Sequence, residues 1–265
     1  MKSILVRCWH GGEGEMNLGE WYIEILLEAL GYGVRYWPGQ ARGDEPCAHM
    51  IGSGVMEGYL RHILRRSSRV VLWGAGNGYS AEEAPRVAEY PGRVDVRALR
   101  GPLTAGDCGV GEAVPLCDPT FLLPYLYPSW GPRGLEVLYI PHASLRSGAA
   151  EEARGLGAEY VDIFSDREGA VRTLGRIARA RFVLTSALHV AIACLAYGTG
   201  FCVYVPRGRE LGMPRKWRDV FYSLGRVAPV PVDSPAAAAG AAPIRAGSPP
   251  DVSRLLKAFP REMAS

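Results

Sequence analysis

The chain has 265 residues, 48% hydrophobic and 22% charged, with a formal net charge of +3 at pH 7. That length suffices to bury a sizeable core, and the composition excludes an intrinsically disordered chain. Basic residues are spread along the sequence rather than gathered, which argues against a nucleic-acid-binding protein.

The predicted elements alternate. "SILVRCW" (3–9) reads as an apolar strand, "HGGEGEMNLGE" (10–20) as a loop, and "WYIEILLEALGY" (21–32) as a helix with Ile23, Leu26, Leu27 and Leu30 on one face. "GVRYW" (33–37) and "AHMIGSG" (48–54) read as strands, "MEGYLRHILRRS" (56–67) as a helix, and "RVVLWGAGNG" (69–78) as a strand ending in a glycine loop. "DVRALRGPLTAGDCG" (95–109) gives a strand and then a helix with Pro102 in its first turn. The densest basic run, "RHILRRSSR" (61–69), falls at helical spacing and reads as a solvated face. The grammar repeats after residue 135, with strands predicted over 136–144, 158–165, 181–187 and 200–206, and helices over 151–157, 167–180 and 188–198.

Strands alternating with helices predict an α/β fold with parallel sheets. Two such series, split by "PYLYPSWGPRG" (124–134), predict two doubly wound Rossmann-like domains, over 1–125 and 134–225. The Pro- and Ala-rich stretch after Gly225 reads as a surface linker ending in a short helix, together spanning 226–265. The six cysteines form no CxxC pair and no zinc-spaced cluster with histidine, so no metal is expected. The N-terminal segment lacks the pattern of a secretory signal. No stretch reaches the ~18–20 apolar residues of a membrane span. A reduced, cytoplasmic protein is the expectation.

In parallel sheets of this kind, ligands gather at the carboxyl ends of strands. Asn17, Gly19 and Glu20 stand ahead of the first helix, where free N–H groups can meet an anion. "WGAGNG" (73–78), with Gly74 and Gly76, has the outline of a dinucleotide loop but not its GxGxxG spacing, and reads first as a tight turn. Arg100 and His142 each stand at a strand end, and "TSALH" (185–189) brings Ser186 and His189 to another. A lone histidine in an apolar run is more often a hydrogen-bonded core residue; what sets His189 apart is the strand-to-helix junction.

"NLGE", "WGAGNG", "RGPLTA", "CDPTFLLP", "IPH", "TSALHVAIACLAYGTG" and "KWRDVFYSLG" occur in that order. Together they make most of residues 1–225 resemble the polysaccharide pyruvyl transferase family. The resemblance implies two domains in a glycosyltransferase-B-like architecture, and transfer of pyruvate from phosphoenolpyruvate onto a sugar of a surface polysaccharide or glycan precursor as a cyclic ketal. It places the general acid and base on His189 and donor binding on Arg100 and Lys216. Asn17, Gly19 and Ser186 join the donor-binding set, with His142, Glu20, Gly74, Gly76 and Arg218 as additional candidates. It implies no cofactor beyond the donor, a sugar or lipid-linked glycan acceptor, and a place in the cytoplasm at the periphery of the membrane where glycan precursors are built. Two positions depart from the family pattern. Ala187 and Leu188 stand where an arginine of an S-x-R-x-H motif is common, which leaves Lys216, Arg215 or Arg218 to supply that charge, and Glu20 replaces an aspartate.

Three other readings share these residues. A glycosyltransferase using a nucleotide sugar would have the same architecture. A non-catalytic glycan-binding homologue would explain the missing arginine, and a nicotinamide enzyme would rest on "WGAGNG" alone.

Overall fold

The structure, a computed structural model, describes residues 2–7, 16–37, 47–52, 54–111, 114–245, 247 and 250–261. In chain order the elements are β1 (Ser3–Val6), β2 (Met16–Asn17), α1 (Leu18–Ala29), β3 (Gly33–Tyr36), β4 (Cys47–Ile51), α2 (Glu57–Ile63), β5 (Arg69–Ala75), β6 (Val94–Leu99), α3 (Pro102–Asp107) and α4 (Leu123–Leu126). There follow β7 (Val137–Ile140), α5 (Ala149–Gly155), β8 (Glu159–Tyr160), β9 (Phe164–Ser165), α6 (Arg167–Arg179), β10 (Phe182–Thr185), α7 (Leu188–Tyr197), β11 (Phe201–Val203), α8 (Pro214–Ser223), α9 (Pro235–Gly240) and α10 (Val252–Lys257).

The architecture is mixed α/β with two parallel sheets. The first has the order β3-β1-β4-β5-β6, the second β11-β10-β7-β8. Strands such as β5, buried over Val70–Ala75, read as unbroken apolar runs because helices cover both faces. Residues 124–134 lie between the last strand of the first sheet and the first strand of the second.

One apolar cluster runs through both halves, from Ile4 and Val6 through Leu26 of α1 and Val190 and Ile192 of α7 to Leu138, Val183 and Phe201. Helix α7 is apolar on every side, and Val190 through Leu195 are all buried in that layer. Helix α6 buries one stripe, Ala170, Thr173, Leu174 and Ile177, and is capped by Asp166, whose Oδ1 accepts from Gly169 N at 2.7 Å.

Three expectations need correction. The strand predicted over 158–165 is two strands in different sheets: β8 joins β7, whereas β9 pairs antiparallel with β2. Asp162 lies between them, and its Oδ1 accepts from Phe164 N at 3.0 Å, an Asx turn that ends one strand and redirects the next. The predicted loop over 10–20 already contains the start of α1, because Asn17 caps that helix and Gly19 and Glu20 form its first turn; residues 10–15 lie outside the described residues. The stretch after Gly225 is not a free linker. Val232 bridges Tyr204 and Ile244 bridges Phe201, so this segment covers the open edge of β11.

The C-terminal helix α10 returns to the first sheet. Trp73 Nε1 of β5 donates to Leu255 O at 3.0 Å, and Phe259 meets Trp73 edge-on. No helix among the described residues is long and apolar enough to cross a membrane.

Candidate active site

The segments that follow β1, β4, β5, β6, β7 and β10 line one cavity of 420 Å³. Its walls take Arg7 from beyond β1, Gly76 from beyond β5, Arg100 from beyond β6, His142 from beyond β7 and His189 from beyond β10, with Lys216 on α8. Three of the expected residues, Arg100, His189 and Lys216, therefore face one space.

Arg100 is 3% exposed and held in place from below. Its Nε donates to Asp118 Oδ2 at 3.1 Å and its Nη2 to Gly52 O at 2.6 Å. Asp118 Oδ1 accepts from Thr120 N at 2.9 Å, which caps the turn Pro119–Leu122. On its other side Asp118 Oδ2 lies 3.7 Å from His189 Nε2, an ion-pair distance rather than a hydrogen bond. Burial by itself would raise the Asp118 carboxyl, but His189, Arg100 and the Thr120 N–H outweigh it and hold the group at about 2. The result is an Arg100–Asp118–His189 row in which the buried carboxylate stays ionised.

His189 stands in the first turn of α7, with Ala187 as N-cap, and its side chain is 22% exposed. Its ring lies against the first turn of α1. A Cβ at Gly19 would fall 2.0 Å from His189 Nδ1, so only glycine allows this approach. Asn17 Oδ1 accepts from Gly19 N at 2.8 Å and fixes that turn. Glu20 follows, half-buried by exposed area, with Oε2 buried and without a hydrogen-bond partner. Burial raises its pKa, opposed by His189, Lys216 and Arg7.

Lys216 enters from the far wall. Burial and the neighbouring Arg100 lower its pKa to about 8, against a smaller opposing pull from Glu20. His142 is pushed down to about 4 by burial and by Lys216, so its imidazole is neutral at physiological pH. His142 Nδ1 accepts from Ser144 N at 3.2 Å.

Four expected residues do not reach the cavity. Ser186 is 1% exposed, and its Oγ accepts from His142 N at 2.9 Å, so it anchors the His142 loop. Gly74 packs beneath Pro119, and its neighbour Gly76 lines the cavity against Arg100. Arg218 is exposed. Arg215 is engaged with Asp107 at 2.5 Å. Of the three stand-ins for the absent motif arginine, only Lys216 lines the space.

Sequence reasoning missed Arg7, Asp118 and Asp219. Arg7 stands at a strand end, a signal shared with Arg100, and its guanidinium lies 3.8 Å from the centroid of the Tyr59 ring. Asp219 of α8 is fully buried and accepts from Leu103 N at 2.8 Å at the start of α3, just beyond Arg100. No local pattern marks either acid, because their partners are distant in sequence.

The polysaccharide pyruvyl transferase family model matches residues 50–206. That span includes Arg100, Asp118 and His189. The succinoglycan biosynthesis protein ExoV of Rhizobium meliloti (strain 1021) is 25% identical over 231 residues. The alignment covers 85% of this chain and 65% of that protein, so the chain spans about two thirds of its length. A crystal structure of an uncharacterized protein, KP1_0663 of Klebsiella pneumoniae subsp. pneumoniae NTUH-K2044, superposes with a TM-score of 0.54 at 14% identity, covering 88% of this chain and 94% of that one, a likeness of fold alone.

Proposed function

Because the chain belongs to the polysaccharide pyruvyl transferase family, we propose that it moves pyruvate from phosphoenolpyruvate onto two hydroxyls of a sugar in a polysaccharide or glycan precursor, forming a cyclic ketal. The observation that carries this reading is the convergence of Arg7, Arg100 and Lys216 with His189 on one cavity at the carboxyl ends of parallel strands. Phosphoenolpyruvate has a carboxylate and a phosphate, and a site for it needs several cations at close range.

Each group has a part in the reaction. Arg7, Arg100 and Lys216 hold the two anionic groups. His189 delivers a proton to the methylene carbon, which leaves the adjacent carbon electron-poor. One sugar hydroxyl attacks that carbon and loses its proton. The C–O bond to phosphate then breaks, and a second hydroxyl attacks the same carbon and loses its proton. One hydroxyl proton replaces the proton given to the methyl group, and the other leaves with phosphate. Glu20, the unpartnered carboxylate beside His189, stands where a departing hydroxyl proton can be received. Asp118 keeps the imidazole oriented. The reaction needs no cofactor, and the cavity's placement between the two sheets suits a glycosyltransferase-B-like pair of domains.

The test is phosphate release from phosphoenolpyruvate across a panel of sugar acceptors, with the product examined for a pyruvate ketal. Acceptor-dependent phosphate release with ketal formation is the expected result. Turnover of a nucleotide sugar with no phosphate release from phosphoenolpyruvate would instead make the protein a glycosyltransferase.

A further inference from the structure

Among the described residues, Met213 is the one residue other than glycine with a positive φ, at φ 52° and ψ 63°. It also holds the N-cap position of α8, where its side chain makes no capping bond. Both places disfavour methionine. A left-handed backbone crowds any Cβ, and an N-cap is best served by a short polar side chain or by glycine. Burial does not compensate, because the residue is 38% exposed. A long side chain kept against two local preferences, with little packing in return, points to a task for that side chain.

Its position shows the task. Met213 lines the 420 Å³ cavity, and a residue that lines a cavity while this exposed stands at its rim. A Cβ at Gly78 would fall 3.2 Å from Met213 Sδ and 3.7 Å from Lys216 Cβ, so the thioether reaches from the start of α8 to the loop after β5, beside the lysine stem. Met213 O accepts from Lys216 N at 3.1 Å, which ties the two residues into one turn. We infer that Met213 is an apolar cover over the Lys216 end of the cavity, and that it directs the pyruvyl group to a sugar hydroxyl instead of to water. The inference rests on the pyruvyl-transfer reading and adds to it what keeps the reacting carbon dry.

The chemistry requires such a device. Once the methylene carbon has taken its proton, the neighbouring carbon accepts any oxygen nucleophile. If water attacks, a C–O bond forms and water gives up one proton. The bond to phosphate then breaks, and the remaining hydroxyl proton departs with phosphate as the ketone forms. The products are pyruvate and phosphate, with no ketal. Transfer therefore depends on excluding water from the closed site. A thioether suits the rim, being apolar, a weak hydrogen-bond acceptor and flexible enough to settle on a bound donor. The state of Lys216 agrees. Burial is the largest cause that lowers its ammonium to about 8, ahead of Arg100 and against Glu20, which marks this end of the cavity as poorly hydrated.

Two variants and two readouts test this. Met213→Asn suits both the left-handed backbone and the N-cap while removing the apolar cover. It should fold with a thermal midpoint at or above that of the wild type. Its ratio of free pyruvate to ketal, measured with phosphoenolpyruvate and a sugar acceptor, should rise on the order of tenfold. Met213→Leu keeps the apolar bulk and should hold the ratio within about threefold of wild type. The second readout needs no donor. The chain has three lysines, Lys2, Lys216 and Lys257, so the Cε resonance of Lys216 is readily followed by NMR. Its titration midpoint, about 8 in the wild type, should move upward in Met213→Asn and stay in place in Met213→Leu. The inference is overturned if Met213→Asn lowers the thermal midpoint, leaves the product ratio unchanged or leaves the Lys216 titration in place, or if leucine fails to preserve either readout. A wild-type protein that forms neither pyruvate nor ketal from phosphoenolpyruvate defeats the donor reading, and the cover is then judged on the Lys216 titration alone.

Discussion

Asp219 and Thr104 are joined twice. Asp219 Oδ1 accepts from Thr104 N at 3.1 Å, and Oδ2 accepts from the Thr104 hydroxyl at 2.6 Å. Both residues are fully buried, and the contact fastens α8, which carries Lys216, to the start of α3, which follows Arg100. The approach is so close that a Cβ at Gly101 would fall 2.1 Å from Asp219 O. Replacing Asp219 with alanine leaves the Leu103 and Thr104 donors unsatisfied. The expected loss of stability is on the order of 3 kcal/mol, read from the urea midpoint. Weaker binding of phosphoenolpyruvate should accompany it, because Arg100 and Lys216 lose their common brace.

His189→Gln removes titration but keeps size and polarity. Pyruvyl transfer should fall by roughly 10²–10⁴, the usual scale for a lost general acid or base. Donor affinity should persist through the remaining cations. An unfolded variant would show a core histidine, and activity within a few-fold of wild type would show that the proton comes from elsewhere.

Gly19→Ala separates positioning from folding. Alanine suits a helix better than glycine by roughly 0.5–1 kcal/mol, yet the new methyl would meet His189 Nδ1 at 2.0 Å. The imidazole must rotate away from the Asp118 row. We expect a folded protein, by circular dichroism and thermal midpoint, with kcat reduced well below wild type and donor affinity little changed. Unaltered kcat would show that the His189 orientation is not required.

Asp118→Asn leaves the buried Arg100 guanidinium without its counter-charge. Breaking one side of a buried pair typically costs about 3–5 kcal/mol. In the wild type the Asp118 carboxyl is held at about 2, below its usual 3.8. Its stabilising contribution is thus complete above pH 3.8 and is lost as pH falls through about 2. The acid limb of the stability curve should shift accordingly and be missing from the variant.

Lys216 gives a signature on the alkaline side. Its pKa is lowered from 10.5 to about 8, so the ammonium that faces the donor is lost as pH rises through about 8. Affinity for phosphoenolpyruvate should decline over that range, and Lys216→Arg should flatten the decline. Stability moves the other way. Between pH 8 and 10.5 the unfolded chain still holds the proton that the folded chain has released, so folding stability rises with pH across that window. Parallel titrations of binding and of the urea midpoint should therefore run in opposite directions.

Much of this arrangement was legible in the sequence, and the reasons it was not complete are physical. The parallel strands announce themselves as apolar runs closed by glycine or proline, and position marked Arg100, His142 and His189 as strand-end residues, whereas the roles of Arg100 and His189 came from the family resemblance. Asp118 lies within the quoted "CDPTFLLP", yet its role depends on Arg100 and His189 approaching from two other elements, which no spacing encodes. The β2–β9 pair has two residues in each strand, too short to show any alternation. The Pro- and Ala-rich tail reads as linker by composition, and only its register against β11 reveals that it seals an edge. Arg218 was named as a stand-in for the absent motif arginine, but it is exposed on helix α8.

The small antiparallel ribbon has a mechanical consequence. Helix α1 comes early in the chain, but β2 at its start is stitched to β9, Leu18 N donates to Ile163 O at 3.0 Å, and Trp21 Nε1 donates to Ser165 O at 2.8 Å. Farther along, Arg167 of α6 pairs with Glu24 and Glu28. Sequence order assigns α1 to one half of the molecule, and these fastenings tie its start to the other as well. Helix α1 is thus a strap between the two halves, since its far end leads within a few residues into β3 of the first sheet and packs against that strand. The turn Pro119–Leu122, capped by Asp118, packs against both α1 and α7, so Gly19, Glu20 and His189 keep one fixed separation from Arg100 and the proton-handling groups stand against the anion clamp without any rearrangement.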